Sequence, residues 1–197
     1  RPFFGMARPV TPWITVYVCR SALVLMGIGY RKEGRPMRHK GAMVANHSSW
    51  LDIFVLNAAA PVYFVAKAGV AKWPGIGALA RGTGTVFIAR NRAEAKAHND
   101  LFEDRLLAGH TLMFFPEGTS TDGLRVLPFK STLFQSFYSE KLLHEIAIQP
   151  VSVIYHAPPG EAPEFYGWWG DMEFGAHLLS EAGVDTVGLV DRPRGRS

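Results

Sequence analysis

Ala42-Met43-Val44-Ala45-Asn46-His47-Ser48-Ser49-Trp50-Leu51-Asp52 reads as an apolar strand that stops on an amide and an imidazole and turns at once into a helix. Four consecutive apolar residues ended by a polar one fit a strand buried on both faces. Trp50–Ala60 then has a helical pattern, with Leu51, Val55 and Ala59 four residues apart. The alternation continues downstream. Val62–Ala66 and Thr85–Ala89 are β-branched and aromatic runs bounded by Pro or Gly. Ala93–Ala108 is helical, stacks Phe102 on Leu106 and stops at Gly109. Thr111–Phe115 is a further buried strand, and Ser131–Leu143 returns to helical spacing through Phe134, Phe137 and Tyr138. Ile146–Tyr155 is strand-like but broken by Pro150, which marks an edge or an entry point, and Val184–Val190 is a last strand. Strands alternating with helices predict an α/β fold, a mostly parallel sheet flanked by helices.

The composition limits what such a fold does. At 197 residues the chain makes one domain with a sizeable core, and 48% apolar against 19% charged residues excludes a disordered chain. The single cysteine, Cys19, excludes a disulfide framework and a cysteine-based zinc site. A net charge of +4 is too mild to indicate nucleic-acid binding, and no nucleic-acid partner is expected. The charge is unevenly placed. Residues 1–40 carry eight cations and one acid, Glu33, and no acid occurs between Asp52 and Glu94, where Lys67, Lys72, Arg81, Arg90 and Arg92 do. Such runs are either solvated faces or surfaces for anionic headgroups and phosphorylated ligands.

No run of 18 or more apolar residues is present, so no self-sufficient membrane span is expected. Pro12–Gly29 comes nearest, interrupted by Arg20. It reads either as a core helix or as a helix lying in a membrane interface, with Arg20 reaching the headgroups and Trp13 and Tyr17 at the boundary. The expected organisation is an apolar membrane-interface helix region, 1–29, followed by an α/β domain, 30–197.

The polar groups fall in one place. Asn46 and His47 follow the first strand, Lys67 follows Val62–Ala66, Arg90 follows Thr85–Ala89, and Glu117 follows Thr111–Phe115 after one proline. Ligands bind open α/β sheets at the carboxyl ends of the strands, so these groups are expected to share one site. His47 and Asp52 are five residues apart across a strand–helix turn. That spacing lets the carboxylate fold back onto the imidazole, fix its tautomer and support the charge formed when its other nitrogen takes a proton. The plainer alternative is that Asn46, Ser48 or Ser49 caps the helix and His47 is incidental. Phe114-Phe115-Pro116-Glu117-Gly118-Thr119-Ser120 places a carboxylate, a glycine and two hydroxyls in one turn, fit to hold a polyol headgroup or simply to turn the chain. Arg90, Arg92 and Lys130 offer cations to a phosphate. No third ligand at helical spacing accompanies His47, and no metal is expected. Gly75-Ile76-Gly77-Ala78-Leu79-Ala80 matches a dinucleotide fingerprint but follows Trp73-Pro74 rather than a strand, and no G-x-S-x-G nucleophile elbow occurs.

Taken together, Asn46–Asp52, Gly84–Arg90, Phe115-Pro116-Glu117-Gly118-Thr119 and Gln149-Pro150-Val151 resemble the glycerolipid acyltransferase family over residues 12–180. The resemblance implies acyl transfer from a thioester, acyl-CoA or acyl carrier protein, to the free hydroxyl of a lysolipid, with no other cofactor. It makes His47 the general base and Asp52 its orienting partner. Glu117, Gly118, Thr119, Lys67, Arg90 and Lys130 become the acceptor site, and Pro150 marks a motif near the acyl pocket. Membrane lipids become partners, and a peripheral or monotopic position on the cytoplasmic face of a bacterial inner membrane is implied. The first acceptor expected is 1-acyl-glycerol-3-phosphate, giving phosphatidate. Thr119-Ser120-Thr121-Asp122-Gly123 through Lys130-Ser131-Thr132-Leu133-Phe134 is also similar to the branch that acylates lyso-ornithine lipid, which is the alternative. A thioesterase or lysolipid esterase, with water replacing the alcohol, is a further reading.

Overall fold

In the computed structural model, residues 11–73, 75–88, 95–131, 134–170, 172, 177 and 187–190 are described. Among them seven strands form one sheet: β1 (Tyr30–Glu33), β2 (Gly41–Ala45), β3 (Tyr63–Lys67), β4 (Val86–Ile88), β5 (Thr111–Phe114), β6 (Ala147–Tyr155) and β7 (Val187–Val190), in the order β1-β7-β6-β2-β5-β3-β4. Neighbours β6, β2, β5, β3 and β4 are all parallel, whereas β7 runs antiparallel to β6 and parallel to β1. The helices are α1 (Thr11–Leu25), α2 (Asp52–Ala59), α3 (Ile76–Gly82) and α4 (Ala95–Leu107). The expected α/β architecture is what the chain adopts.

The continuous apolar runs arise because the central strands are covered on both faces. Met43 and Ala45 of β2 join Met113 of β5 in a core with Cys19, Leu23, Leu51, Val55 and Leu56. Ala42 and Val44 join Leu112 and Phe114 in a second core with Phe102, Leu106, Phe137 and Leu142. Alternate side chains of one strand thus feed opposite layers. Gly41 opens β2 because a Cβ there would overlap the backbone of Ala147 on β6.

Three expectations are corrected. Ser131–Leu143 is not an α-helix: its described residues include the 3₁₀ turn Gln135–Tyr138, followed by further turns. Three residues per turn bring Phe134 and Phe137 into line, and both pack on Phe114 (centroids 5.4 Å in each case), so the aromatic spacing serves a tighter helix equally well. Tyr30–Glu33 is an unexpected strand at the sheet edge, hidden in the sequence by its three charged residues. Arg20 does not point only to solvent; its Nε donates to the Ala58 carbonyl (2.9 Å), satisfying an acceptor in the last turn of α2.

A fourth expectation, a break at Pro150, is also corrected: the residue lies within a continuous strand, paired with Val44. The N–H groups of Ala147 and Val153 both point toward β2, donating to the Lys40 carbonyl and to Asn46 Oδ1. N–H directions alternate along a strand, so Pro150 lacks its N–H on the opposite side, where among the described residues β7 pairs from Ser152 onward. Among the described residues it therefore stands at a local edge.

α1 has two faces. Val16, Cys19 and Leu23 are buried against the core, while Trp13, Ile14, Tyr17, Val18, Val24 and Leu25 are exposed. Burial pushes the Cys19 thiol up to about 11, so at neutral pH it is a small packed hydrophobe. Among the described residues no helix is long and apolar enough to cross a membrane.

Candidate active site

β2 ends at Ala45, and the next residue carries the strand pairing onward with its side chain. Asn46 Nδ2 donates to the Val153 carbonyl (2.9 Å) and the Val153 N–H donates to Asn46 Oδ1 (2.8 Å). The amide therefore acts as one more ladder step and aims the following residue, His47, off the sheet edge. The helix-cap alternative for Asn46 does not hold.

His47 Nδ1 lies 2.7 Å from Asp52 Oδ2. Asp52 opens α2 and is fully buried, its Oδ2 also accepting the N–H groups of Ser48 (2.9 Å) and Ser49 (3.2 Å). The helix N-terminus and these donors stabilise the carboxylate where water does not reach. Tyr155, the last residue of β6, donates its hydroxyl to Asp52 Oδ1. The imidazole stacks on Phe115 (centroids 3.9 Å, 10°), and 21% of the side chain is accessible. With Nδ1 turned to the carboxylate, Nε2 is the nitrogen left to receive a proton from outside.

The turn after β5 grips the backbone of the same histidine. Glu117 is 1% exposed; its Oε1 accepts the His47 N–H (2.9 Å) and its Oε2 accepts the Leu127 N–H (2.8 Å). Thr121 N–H donates to the His47 carbonyl (2.9 Å). Both carboxylate oxygens of Glu117 thus face inward to backbone donors. Gly118 sits at φ +72°, and a Cβ there would fall 2.7 Å from Lys130 Nζ, so the glycine lets the lysine chain lie across the turn. Lys130 N–H closes the loop on the Pro116 carbonyl (2.8 Å). Thr119 is exposed beside it, and Lys67 is exposed at the carboxyl end of β3. Arg90 lies outside the described residues.

Parallel strands β2, β5 and β3 therefore bring His47, Glu117 and Lys67 to one sheet edge, and the backbone contact joins the first two directly. Sequence reasoning missed Tyr155 and the Asn46–Val153 pairing. Reading what stands at the end of each parallel strand also reaches Tyr155, the last residue of β6.

A His–Asp pair at the carboxyl edge of a mostly parallel sheet, with the second imidazole nitrogen not engaged by the carboxylate, is chemically able to take a proton from a hydroxyl. Residues 29–154 match the acyltransferase family, and the chain belongs to that family. It is 57% identical over 191 residues to the lyso-ornithine lipid O-acyltransferase of Rhodobacter capsulatus, covering 97% of this chain and 69% of that protein. It is 42% identical over 121 residues to the 1-acyl-sn-glycerol-3-phosphate acyltransferase of Neisseria gonorrhoeae, covering 59% of this chain and 47% of that one. The crystal structure of the 1-acyl-sn-glycerophosphate acyltransferase PlsC from Thermotoga maritima shares the fold (TM-score 0.58, 21% identity, 91% of this chain and 66% of that one). The chain spans about two thirds of the length of the lyso-ornithine lipid O-acyltransferases it matches.

Proposed function

We propose that the protein transfers a fatty acyl group from a thioester, acyl-CoA or acyl carrier protein, to the hydroxyl of lyso-ornithine lipid. The His47–Asp52 geometry carries the chemistry. His47 Nε2 takes the hydroxyl proton as the oxygen attacks the thioester carbonyl. The C–S bond then breaks, and the proton passes from the imidazolium to the departing thiolate. Asp52 keeps Nδ1–H in place and stabilises the imidazolium meanwhile. The Ser48 and Ser49 N–H groups already serve Asp52, which removes them as oxyanion donors.

The acceptor rests on the 57% identity over nearly the whole chain to a lyso-ornithine lipid enzyme, which outweighs the shorter match to a lysophosphatidate enzyme. The cations do not discriminate. Lys67, Arg90 and Lys130 suit the carboxylate of an ornithine headgroup as well as a phosphate. Glu117, Gly118 and Thr119 shape the acceptor site, Glu117 by fixing the backbone of His47. The exposed apolar face of α1 docks the protein on the bilayer where its lipid resides, with Trp13 and Tyr17 at the boundary.

An acceptor panel tests this: lyso-ornithine lipid, lysophosphatidate and glycerol 3-phosphate, each with labelled acyl-CoA or acyl carrier protein. Acylated ornithine lipid as the main product is expected. Preferential phosphatidate formation overturns the acceptor, and free fatty acid as the main product with every acceptor overturns the transferase.

A further inference from the structure

Asp52 has two oxygens, and they are held very differently. Oδ2 takes the His47 Nδ1–H and two backbone N–H groups. Oδ1 receives the Tyr155 hydroxyl. The side chain is wholly inaccessible to solvent, so no bulk water substitutes for that donor. A carboxylate gripped through one oxygen alone keeps freedom to swing about its Cβ–Cγ bond, and a swing carries Oδ2 out of line with the imidazole. A donor on the second oxygen removes that freedom.

Tyr155 is itself rigidly placed. It closes β6, and Asn46 bonds both backbone groups of Val153, two residues earlier. Its ring packs against Tyr166 (centroids 5.8 Å), which is 1% exposed. The amide that directs His47 and the strand that carries Tyr155 are thus locked in one register.

We propose that Tyr155 is a positioning residue for acyl transfer: its phenol fixes the Asp52 carboxylate so that Oδ2 holds His47 Nδ1 and leaves Nε2 facing the acceptor hydroxyl. The inference rests on His47 acting as the base. The role proposed for Tyr155 is exerted through its hydrogen bond to Asp52.

The test combines kinetics with a measurement that needs no substrate. Tyr155→Phe keeps the ring and deletes the donor. It is expected to lower kcat about tenfold, the effect of losing a hydrogen bond to a charged group, while the KM for the lysolipid stays within about twofold. In an Asp52→Asn background the same change is expected to have little further effect, because the group through which Tyr155 acts is gone. A merely structural tyrosine would lower activity by the same factor in both backgrounds. Independently, the downfield proton resonance of His47 Nδ1–H is expected to shift in Tyr155→Phe and to vanish in His47→Ala. Should Tyr155→Phe not fold, 3-fluorotyrosine placed at position 155 keeps ring and hydroxyl and strengthens the donor, and the resonance is expected to shift in the opposite sense. Wild-type kcat in Tyr155→Phe, equal losses in both backgrounds, or a resonance blind to both replacements overturns the inference. Full activity in His47→Ala overturns the proposed chemistry instead, and leaves the resonance to judge the contact.

Discussion

At His47 every backbone group is bonded, its N–H to Glu117 and its carbonyl to the Thr121 N–H. The ring alone has freedom, and Asp52 removes most of it. His47→Ala deletes the proton acceptor and the stacking contact with Phe115. Turnover is expected to fall about 10²–10⁴-fold while lysolipid binding, read by equilibrium retention on vesicles, stays near wild type. Glu117 predicts the reverse. Removing its carboxylate leaves two buried N–H groups, of His47 and Leu127, without acceptors. Glu117→Ala is expected to cost about 3 kcal/mol and to lower the melting temperature by roughly 6–12 °C, with Glu117→Gln intermediate because an amide offers only one acceptor. A melting point within about 2 °C of wild type would show that the clamp contributes little. The His47–Asp52 contact was legible because it closes over five residues. The contacts of Glu117, Asn46 and Tyr155 were not, because their partners lie 70, 107 and 103 residues away and chain spacing says nothing about them.

Elements were legible where one layer decides their character and obscure where two structures satisfy one pattern. Ala42–Ala45 and Thr111–Phe115 read correctly because a strand buried on both faces admits no polar residue. The Phe134–Tyr138 spacing suited a 3₁₀ turn as well as a helix, and Tyr30-Arg31-Lys32-Glu33 had no apolar run because an edge strand needs none. α1 joins the core, as one of its two readings had it, and it also shows an apolar face to the outside, whose role in docking is a matter for experiment. The two faces separate by experiment. Leu23 is 1% exposed, and Leu23→Ala is expected to cost about 2–4 kcal/mol in a thermal melt. Tyr17→Ser, Val24→Ser and Leu25→Ser together remove residues 74%, 76% and 87% exposed. They are expected to change stability by about 0.5 kcal/mol or less per site yet to reduce flotation with anionic vesicles. Undiminished flotation would remove the docking role from this face.

Over the whole molecule, Trp168 and His177, beyond β6, are tied back to the first strand–helix turn. Trp168 N–H donates to the Ser48 carbonyl (2.8 Å), and Trp50 Nε1–H donates to His177 Nδ1 (3.2 Å). His177 Nε2 faces the Gly167 carbonyl at 2.8 Å. One ring nitrogen must accept and the other donate, so this bridge requires the neutral imidazole. Burial, partly opposed by the Gly167 hydrogen bond, lowers the His177 pKa below its usual 6.5. The unfolded chain therefore takes up this proton at a higher pH than the folded one. The bridge contributes its full stability above pH 6.5, and that contribution is lost as pH falls from 6.5 through the lowered folded value. His177→Gln supplies an acceptor for Trp50 and a donor for Gly167 without titrating. The melting temperature of the wild type is therefore expected to fall more steeply than that of His177→Gln as pH falls below about 6.5, the two curves running parallel well above it. Parallel curves throughout would mean that the imidazole does not couple protonation to the hold on Trp50. Because Trp50 stands two residues before Asp52, a confirmed steepening would also mean that acid loosens the turn on which the His47–Asp52 pair is built.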